Sequence, residues 1–269
     1  YNLIISDKRL AEARLPHTWI DEPGRVNKWA AKLMLAKVYL TSAGWPLKRS
    51  ENYALAAEKA IDVLINAPNG LLSNYSELWL ESNDNNSESV LAVQACATCG
   101  DWGLSNRLPY SIGAEAEEGG WDDYYSEIKF FEEFPEGPRK EATFQTVFGG
   151  GISWQEPSQG HPYYLKTRGF QVQTINSLNV YVLRYADAHL IYAEAANKAE
   201  GSPSAQAYAS INTIKRRAAG VSLDTPNPDV DLASGLSGDE FHRAVLNERA
   251  WEFAGEWERW WDLVRNQIV

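Results

Sequence analysis

The sequence predicts a mostly α-helical protein built from tetratricopeptide-like helical hairpins, with an irregular region of loops and short strands between them. Two alanine-rich stretches, residues 26–66 and 182–218, carry apolar residues at helical spacing, and each is interrupted by a short break. Small alanine side chains let two antiparallel helices approach closely, which favours a hairpin in each stretch. Residues 67–180 are rich in glycine, proline, serine and aromatic residues, which predicts mainly loops.

The first hairpin follows the end of an earlier helix, which residues 7–15 predict and Pro16 stops. Trp29, Leu33 and Ala36 share one side of a predicted helix over residues 26–39. Glycine and proline at positions 44 and 46 break that helix, and a second helix is predicted over residues 51–65.

Within the loop-rich region, the alternation of residues 89–94 predicts a short strand, and residues 122–134 predict a helix. Cys96 and Cys99 are the only cysteines, and their spacing predicts either a local disulfide or two unpaired thiols at a strand end. The chain has no second cysteine pair and its four histidines are scattered, which argues against a tetrahedral zinc site.

The second hairpin is predicted over residues 182–199 and 204–218, and a last helix over residues 237–266. Ser237 and Glu240 have the spacing of a capping box at the start of that helix. An apolar stripe along the helix predicts that one face is buried. The stripe consists of Ala250, Phe253, Ala254, Trp257, Trp260, Trp261 and Val264.

The order of letters in this last segment adds a resemblance to the periodicity. Residues 248–265 read Glu-Arg-x-x-Glu-Phe-x-x-Glu-x-x-Arg-x-x-Asp-Leu-x-Arg, which resembles the C-terminal signature of the SusD/RagB family of Bacteroidetes nutrient-binding lipoproteins. Residues 183–195, residues 212–220, and residues 25–26 followed by 30–40 resemble three further blocks of that family. The four blocks occur in the family's order and cover most of the chain.

The resemblance implies a single SusD-like domain over residues 1–269 that lacks the family's N-terminal part. It also implies a surface-exposed protein of the cell outer membrane, held there only through an N-terminal lipid anchor that is not present in this chain. A SusD-like protein binds oligosaccharide or polysaccharide without catalysis and delivers it to a SusC-like TonB-dependent transporter. Those are the expected ligand and partner.

Composition excludes several other classes of protein. The formal net charge of −11 argues against a nucleic acid or an anionic bilayer as partner. The sequence contains no nucleophile elbow, phosphate-binding loop or His-Glu-x-x-His motif, and its adjacent acidic pairs are expected by chance among 36 acids. We therefore predict no enzyme and no cofactor, and leave open a structural calcium ion.

Aromatic residues in the loop-rich region are the candidates for glycan binding. No helical stripe accounts for them, a sugar ring offers a flat C–H face to an aromatic ring, and neighbouring polar groups can bind its hydroxyls. Packing of the same rings in small loop cores is the alternative for each residue. The predicted glycan-binding residues are Trp102, Tyr110, Trp121, Trp154, Asp101, Asn106 and Arg107; Tyr163 and Tyr164 belong to the same loop aromatics.

The charged residues of the family-like blocks are predicted to form ion pairs rather than a ligand site. Arginine forks pair well with carboxylates, and such pairs would hold the last helix against the helix of the second hairpin. These residues are Arg184, Asp187, Glu248, Arg249, Glu252, Glu256 and Arg259.

Two other functions stay open at this point. A RagB-like protein would bind oligopeptides for import, and the acidic balance suits a cationic peptide. A tetratricopeptide-like adaptor would bind partner proteins and no small molecule, with its loop aromatics buried.

Overall fold

The structure is a computed structural model that describes residues 1–100, 102–113, 119–156, 160–167 and 175–268, without the side chains of Trp102 and Tyr110. The predicted mostly α-helical fold with helical hairpins and short strands is confirmed. The helices are α1 (Asn2–Arg14), α2 (Lys28–Ala43), α3 (Asn52–Asn66), α4 (Leu108–Ile112), α5 (Ile128–Glu132), α6 (Pro138–Thr143), α7 (Tyr185–Glu200), α8 (Ala205–Ala218), α9 (Gly238–Glu252) and α10 (Arg259–Asn266). The strands are β1 (Ser89–Val93), β2 (Phe144–Gln145), β3 (Val147–Phe148), β4 (Ile152–Ser153), β5 (Tyr163–Tyr164) and β6 (Val180–Arg184). Short 3₁₀ segments lie at Tyr75–Trp79, Glu81–Asn83, Trp102–Leu104 and Gly149–Gly151.

Helices α2 and α3 form the first hairpin and pack against α7. The Asn27 side chain accepts a hydrogen bond from the Ala30 amide and so caps the start of α2. Ala36, Ala56 and Ala60 are completely buried, because the helix axes approach where their short side chains meet. A core of aromatic and aliphatic side chains surrounds this contact.

Helices α7 and α8 form the second hairpin, and α9 packs across both. Leu190, Ile211 and Phe241 are fully buried in the core that these three helices share. Helix α7 therefore contributes to two cores, one on each side. No helix in the described part of the chain is both long and apolar enough to cross a membrane.

The predicted helix starting at residue 182 begins three residues later, because the preceding segment is a strand. Strands β1 and β6 pair antiparallel, with Ser89 opposite Arg184. The strand predicted at residues 89–94 is thus present as β1. This pairing brings the start of β1 to the N-terminus of α7, where the Tyr185 amide donates to the Glu88 carbonyl at 2.8 Å.

The loop-rich region contains two further strand pairs, β2 with β5 and β3 with β4. The helix predicted over residues 122–134 was too long, and only α5 forms. Asp122 has φ +60°, and a Cβ on Gly120 would lie 2.1 Å from the Gly113 carbonyl oxygen. The chain before α5 is therefore fixed by this close approach of two glycine backbones and cannot be helical. Cys96 and Cys99 form a disulfide.

The single last helix predicted over residues 237–266 was wrong. Helix α9 ends at Glu252 and α10 begins at Arg259. Between them Gly255 has φ +76° and Trp257 has φ +67°, so the chain leaves the helical conformation twice. The residues after this turn no longer follow the helical phase of α9.

The predicted capping box at the start of α9 is present and allows a stability prediction. The Ser237 hydroxyl accepts from the Glu240 amide at 3.3 Å, and the Glu240 carboxylate accepts from the Ser237 amide at 2.9 Å. We expect Ser237→Ala to lower the free energy of unfolding by about 1 kcal/mol, because it removes one of these bonds. Urea denaturation measures the change. Ser222→Ala, at an exposed loop serine, is the control, and equal losses in both variants would contradict a capping role.

Candidate functional site

Most of the predicted ion-pair residues lie inside the protein, in a network that we call the buried charge cluster. It combines arginine and lysine side chains from β6, α6, α8 and the segment after β5 with carboxylates from the start of β1, from α9 and from the turn after α9. Its members are Arg139, Lys166, Arg184, Arg217, Glu88, Glu248, Glu252 and Glu256. Four cations face four carboxylates, so their formal charges cancel.

Glu252 lies at the centre of the cluster and is completely buried. Its carboxylate accepts from Arg217 at 2.6 Å, from Arg184 at 2.9 Å and from Arg139 at 3.1 Å. Its backbone carbonyl accepts from Lys166 at 2.9 Å. One residue of α9 thus links side chains from four other parts of the chain.

Glu88 and Glu256 extend the cluster on either side. Arg184 and Arg217 each donate to Glu88 at 2.7 Å. Arg184 also donates to Glu256 through its Nε at 2.8 Å and its Nη2 at 2.9 Å, a two-point contact. Arg184 therefore joins three carboxylates.

The mutual attraction within the cluster outweighs the cost of burying its central carboxylate. Burial alone would raise the pKa of Glu252, but the positive charges of Arg217, Arg184 and Arg139 lower that pKa to about 2. Burial lowers the pKa of Lys166 to about 8, against the opposing attraction of Glu256. Glu252 is therefore ionised at neutral pH.

Asp187 and Arg249 belong to neighbouring contacts. The Asp187 carboxylate accepts from the Arg184 amide at 2.8 Å and closes a capping box on α7. Arg249 donates to Asp262 at 2.8 Å, and Asp262 also accepts from Arg265. Arg259 is half-buried, and its guanidinium donates to a backbone oxygen of α9, the Leu246 carbonyl, at 3.1 Å.

Sequence reasoning missed half of the cluster. Arg217 lies in a block that resembles the family, so its motif was a usable signal. Glu88, Arg139 and Lys166 stand alone in the loop-rich region and have no local pattern, so only the folded chain brings them to Glu252. The cluster is buried and its carboxylates are bound by arginine and lysine, so it stabilises the fold. A ligand site is therefore expected on the surface.

The structure separates the predicted glycan-binding residues into several environments. Trp121 is exposed over 65% of its surface, and Arg107 is exposed. Asp101 and the side chains of Trp102 and Tyr110 lie outside the described part of the chain. Trp154 is half-buried, with its ring edge-on to Phe131 at 5.6 Å between centroids.

Asn106 is positioned for a structural role instead of the predicted ligand contact. It is 5% exposed, and its side-chain amide donates to the carbonyls of Leu178 at 3.1 Å and Thr167 at 3.4 Å. Its backbone pairs with Asn176 as an isolated β-bridge. The carboxamide is polar, but here it binds backbone groups that the loops would otherwise leave buried without partners.

Tyr163 and Tyr164 are likewise buried, although the glycine- and proline-rich context predicted exposed rings. Tyr163 is edge-on to Phe148, and its hydroxyl donates to Asp122. Tyr164 stacks on Tyr124. The strand β5 that carries both residues pairs with β2, which turns their rings toward small aromatic cores.

Exposed tryptophans occur where the sequence predicted a buried stripe. Ala250, Phe253 and Ala254 are buried as predicted, but Trp257 is 50%, Trp260 56% and Trp261 60% exposed. The turn between α9 and α10 accounts for this difference, because Trp257 lies in the turn and Trp260 and Trp261 lie on the separate helix α10. The three rings border a cleft of about 580 Å³ between the C-terminal helices and the loop-rich region.

The cleft has both aromatic and polar walls. Trp257 stacks on Tyr124 with ring centroids 4.4 Å apart and an angle of 21° between the planes. Glu127 and Arg259 contribute the charged groups of the lining. Within the described residues, no group of three or more His, Cys, Asp or Glu side chains is arranged to hold a metal ion.

Sequence comparison identifies relatives of this chain. Residues 161–269 match the model of the SusD family. A SusD-like protein of Bacteroides ovatus is 30% identical over 98% of this chain, and the match covers 50% of that protein. The chain thus spans about half the length of the curated relatives it matches.

Solved structures of SusD-like proteins superpose on almost the whole of this chain. A SusD homologue from Bacteroides thetaiotaomicron superposes with a TM-score of 0.83 at 26% identity, covering 98% of this chain and 58% of its own. A crystal structure with xylogluco-oligosaccharide superposes at 0.76 with 27% identity, covering 98% and 55%. A laminarin binding SusD-like protein superposes at 0.75 with 26% identity, covering 100% and 61%.

Proposed function

Because the chain belongs to the SusD family, we propose that it binds oligosaccharide or polysaccharide at exposed aromatic side chains and does not convert it chemically. Two structures similar to this chain support glycan as the ligand class, one with xylogluco-oligosaccharide and one described as laminarin binding. The observation in this chain that carries the proposal is Trp121, a large ring with about two thirds of its surface in solvent.

The backbone around Trp121 is held in place, which suits a binding platform. The Asp122 amide donates to the Gly113 carbonyl at 3.1 Å, and the Asp123 amide donates to the Ser111 carbonyl at 2.9 Å. The Asp122 side chain accepts from the Tyr163 hydroxyl. A ring on a fixed turn loses little conformational freedom when a ligand stacks on it, so more of the contact energy contributes to affinity.

The chemistry of the contact is suited to a neutral sugar. The indole face offers apolar contact to the C–H face of a pyranose, while exposed polar groups nearby bind hydroxyls. Each such ring contributes on the order of 1 kcal/mol, because the hydroxyls are already solvated in water. Useful affinity therefore needs several contacts along a glycan chain.

The proposal extends to the cellular role that the family implies. The glycan would be delivered to a SusC-like TonB-dependent transporter at the cell outer membrane, with the protein held there by a lipid anchor outside this sequence. This role is tested by purifying the full-length protein from native outer membranes and asking whether the transporter co-purifies with it. Repeated recovery of the protein without the transporter would contradict delivery.

Calorimetry with laminarin and xyloglucan oligosaccharides tests glycan binding. We expect measurable affinity in the wild type, no release of reducing sugar, and a roughly fivefold weaker affinity for Trp121→Ala, because one stacked ring is lost. Trp45→Ala is the matched control, since Trp45 is 43% exposed and lies in the turn after α2, where its amide donates to the Arg265 carbonyl of α10 at 2.9 Å. The control should keep wild-type affinity.

Parallel titrations with cationic peptides separate the competing functions. Binding of cationic peptides without binding of any glycan would favour a RagB-like role, consistent with the net charge of −11. Failure of both ligand classes would favour the adaptor.

A further inference from the structure

We propose a second glycan-binding subsite, at the cleft lined by Tyr124, Trp257, Trp260 and Trp261, in which Trp257 stacks against a neutral sugar ring. This inference rests on the proposed function and adds a location that differs from Trp121. Three independent observations carry it: an open ring stack, a strained backbone at Trp257, and a balanced pair of charges in the cleft.

The first observation is the ring stack. Tyr164, Tyr124 and Trp257 lie nearly parallel, with centroids 5.2 Å apart for the two tyrosines and 4.4 Å apart for Tyr124 and Trp257. Exposure rises along the stack from 9% at Tyr164 to 50% at Trp257. Tyr124 covers one face of the Trp257 indole, and half of the surface of Trp257 remains exposed. A further flat ring can extend the stack from solvent.

The second observation is the backbone of Trp257. Its φ of +67° lies in the left-handed region, which bulky residues rarely adopt and which glycine adopts without cost. A tryptophan at this position therefore lowers stability relative to glycine, while its indole is held over Tyr124. Strained residues of this kind concentrate at binding and catalytic sites, where the rest of the structure compensates for them.

The third observation is the polar lining. Glu127 is exposed and Arg259 is half-buried, and both line the cleft, so one acidic and one basic residue border the tryptophans. The formal charges of these two residues cancel, which suits a neutral ligand. A carboxylate and a guanidinium supply an acceptor and several donors for sugar hydroxyls. The volume of about 580 Å³ is within the range of small-ligand sites.

The cleft and the proposed Trp121 contact are close enough for one glycan chain to use both. Trp121 and Tyr124 are three residues apart, so their Cα atoms are at most about 11 Å apart. Tyr124 in turn touches Trp257. We therefore expect an oligosaccharide of several units to contact both places.

The experiment compares Trp257→Gly, Trp257→Ala and Trp257→Phe with Trp45→Ala as the control. Kd for a laminarin-type hexasaccharide is measured by calorimetry, and Tm by circular dichroism. We expect Trp257→Gly and Trp257→Ala to weaken binding about fivefold to tenfold, and Trp257→Phe to stay within about threefold of wild type because a flat ring remains.

The thermal data distinguish a binding role from a packing role. Trp257→Gly removes both the backbone strain and the ring stack, so its Tm should stay within roughly 3 °C of wild type. Trp257→Ala keeps the strain and loses the stack, so its Tm should be lower than that of Trp257→Gly. A large loss of Tm in the glycine variant with unchanged Kd would show that Trp257 only packs.

The remaining outcomes are equally decisive. Unchanged Kd in all Trp257 variants, with weaker binding in Trp121→Ala, would overturn the second subsite and leave the proposed function standing. A wild-type protein that binds no glycan would overturn both. A Trp257→Gly variant that loses self-association in sedimentation, with unchanged Kd, would assign the cleft to contact between copies of the chain and overturn the sugar subsite.

Discussion

Replacing Glu252 by glutamine is expected to lower the free energy of unfolding by about 3–5 kcal/mol. The carboxylate is completely buried and accepts hydrogen bonds from Arg139, Arg184 and Arg217. A neutral amide leaves those three guanidinium groups inside the protein with one negative charge fewer. Removing one partner of a buried ion pair is costly, because the remaining charge stays away from water without compensation.

Urea denaturation followed by circular dichroism measures this effect, with Glu22→Gln as the control. Glu22 pairs with Arg25 at 2.6 Å, but both side chains are 54% exposed. Water and salt screen such a surface pair, so its loss should cost less than about 1 kcal/mol. Losses of similar size in the two variants would contradict a central role for Glu252.

Acid is expected to destabilise the protein over a window set by the buried carboxylates. The pKa of Glu252 is lowered from an ordinary 4.5 to about 2. Burial alone would raise the pKa values of Glu194, Glu256 and Asp262, but neighbouring arginines, joined by Lys166 at Glu256, lower them as well. A lowered pKa in the folded state means that protons bind more tightly to the unfolded chain. The stabilisation is therefore complete above about pH 4.5 and is lost as the pH falls toward 2.

The size of this effect follows from the Glu252 value. A fall of its pKa from 4.5 to about 2 corresponds to roughly 3 kcal/mol that is present at neutral pH and absent in strong acid. The lowered pKa values of Glu256 and Asp262 act in the same direction. We expect little change in unfolding free energy between pH 7 and 5, and a steep fall below about pH 4.5.

A variant comparison ties the acid sensitivity to the cluster. Glu252→Gln, or Glu256→Gln at the cluster's edge if the first variant does not fold, should show a shallower dependence of unfolding free energy on pH below 4.5. If unfolding free energy depended on pH equally steeply in the variant and in the wild type, surface carboxylates would be responsible for the acid sensitivity instead.

The helical hairpins could be predicted because their signal is local. Alanines at helical spacing, breaks at Gly44 and Pro46, and the Ser237 capping box all act within a few residues of where they occur. The predicted helix over residues 122–134 was too long for a reason that is not local. Gly120 lies against Gly113 and Asp122 has φ +60°, so the chain before α5 is not helical although its apolar spacing suits a helix.

The candidate site was harder to predict than the fold. Asn106 and Tyr163 are of residue types that often contact ligands, and both occur in loop-rich sequence. Both are nevertheless buried, because backbone hydrogen bonds and strand pairing hold them inside the protein. Trp257 follows the apolar stripe of α9 in phase, yet it lies at the surface. Residue type states what a side chain can bind, and the surrounding chain determines whether it is reachable.

The sequence alone determined the two alanine-rich hairpins, the position of β1, and the acidic and basic residues available for ion pairs in the family-like blocks. The tertiary structure decided which charges meet, because Glu88 and Arg217 are 129 residues apart and no local pattern relates them. It also decided which tryptophans are exposed. Helical periodicity predicts burial only while the helix continues, and α9 ends at Glu252, before the exposed tryptophans at 257, 260 and 261.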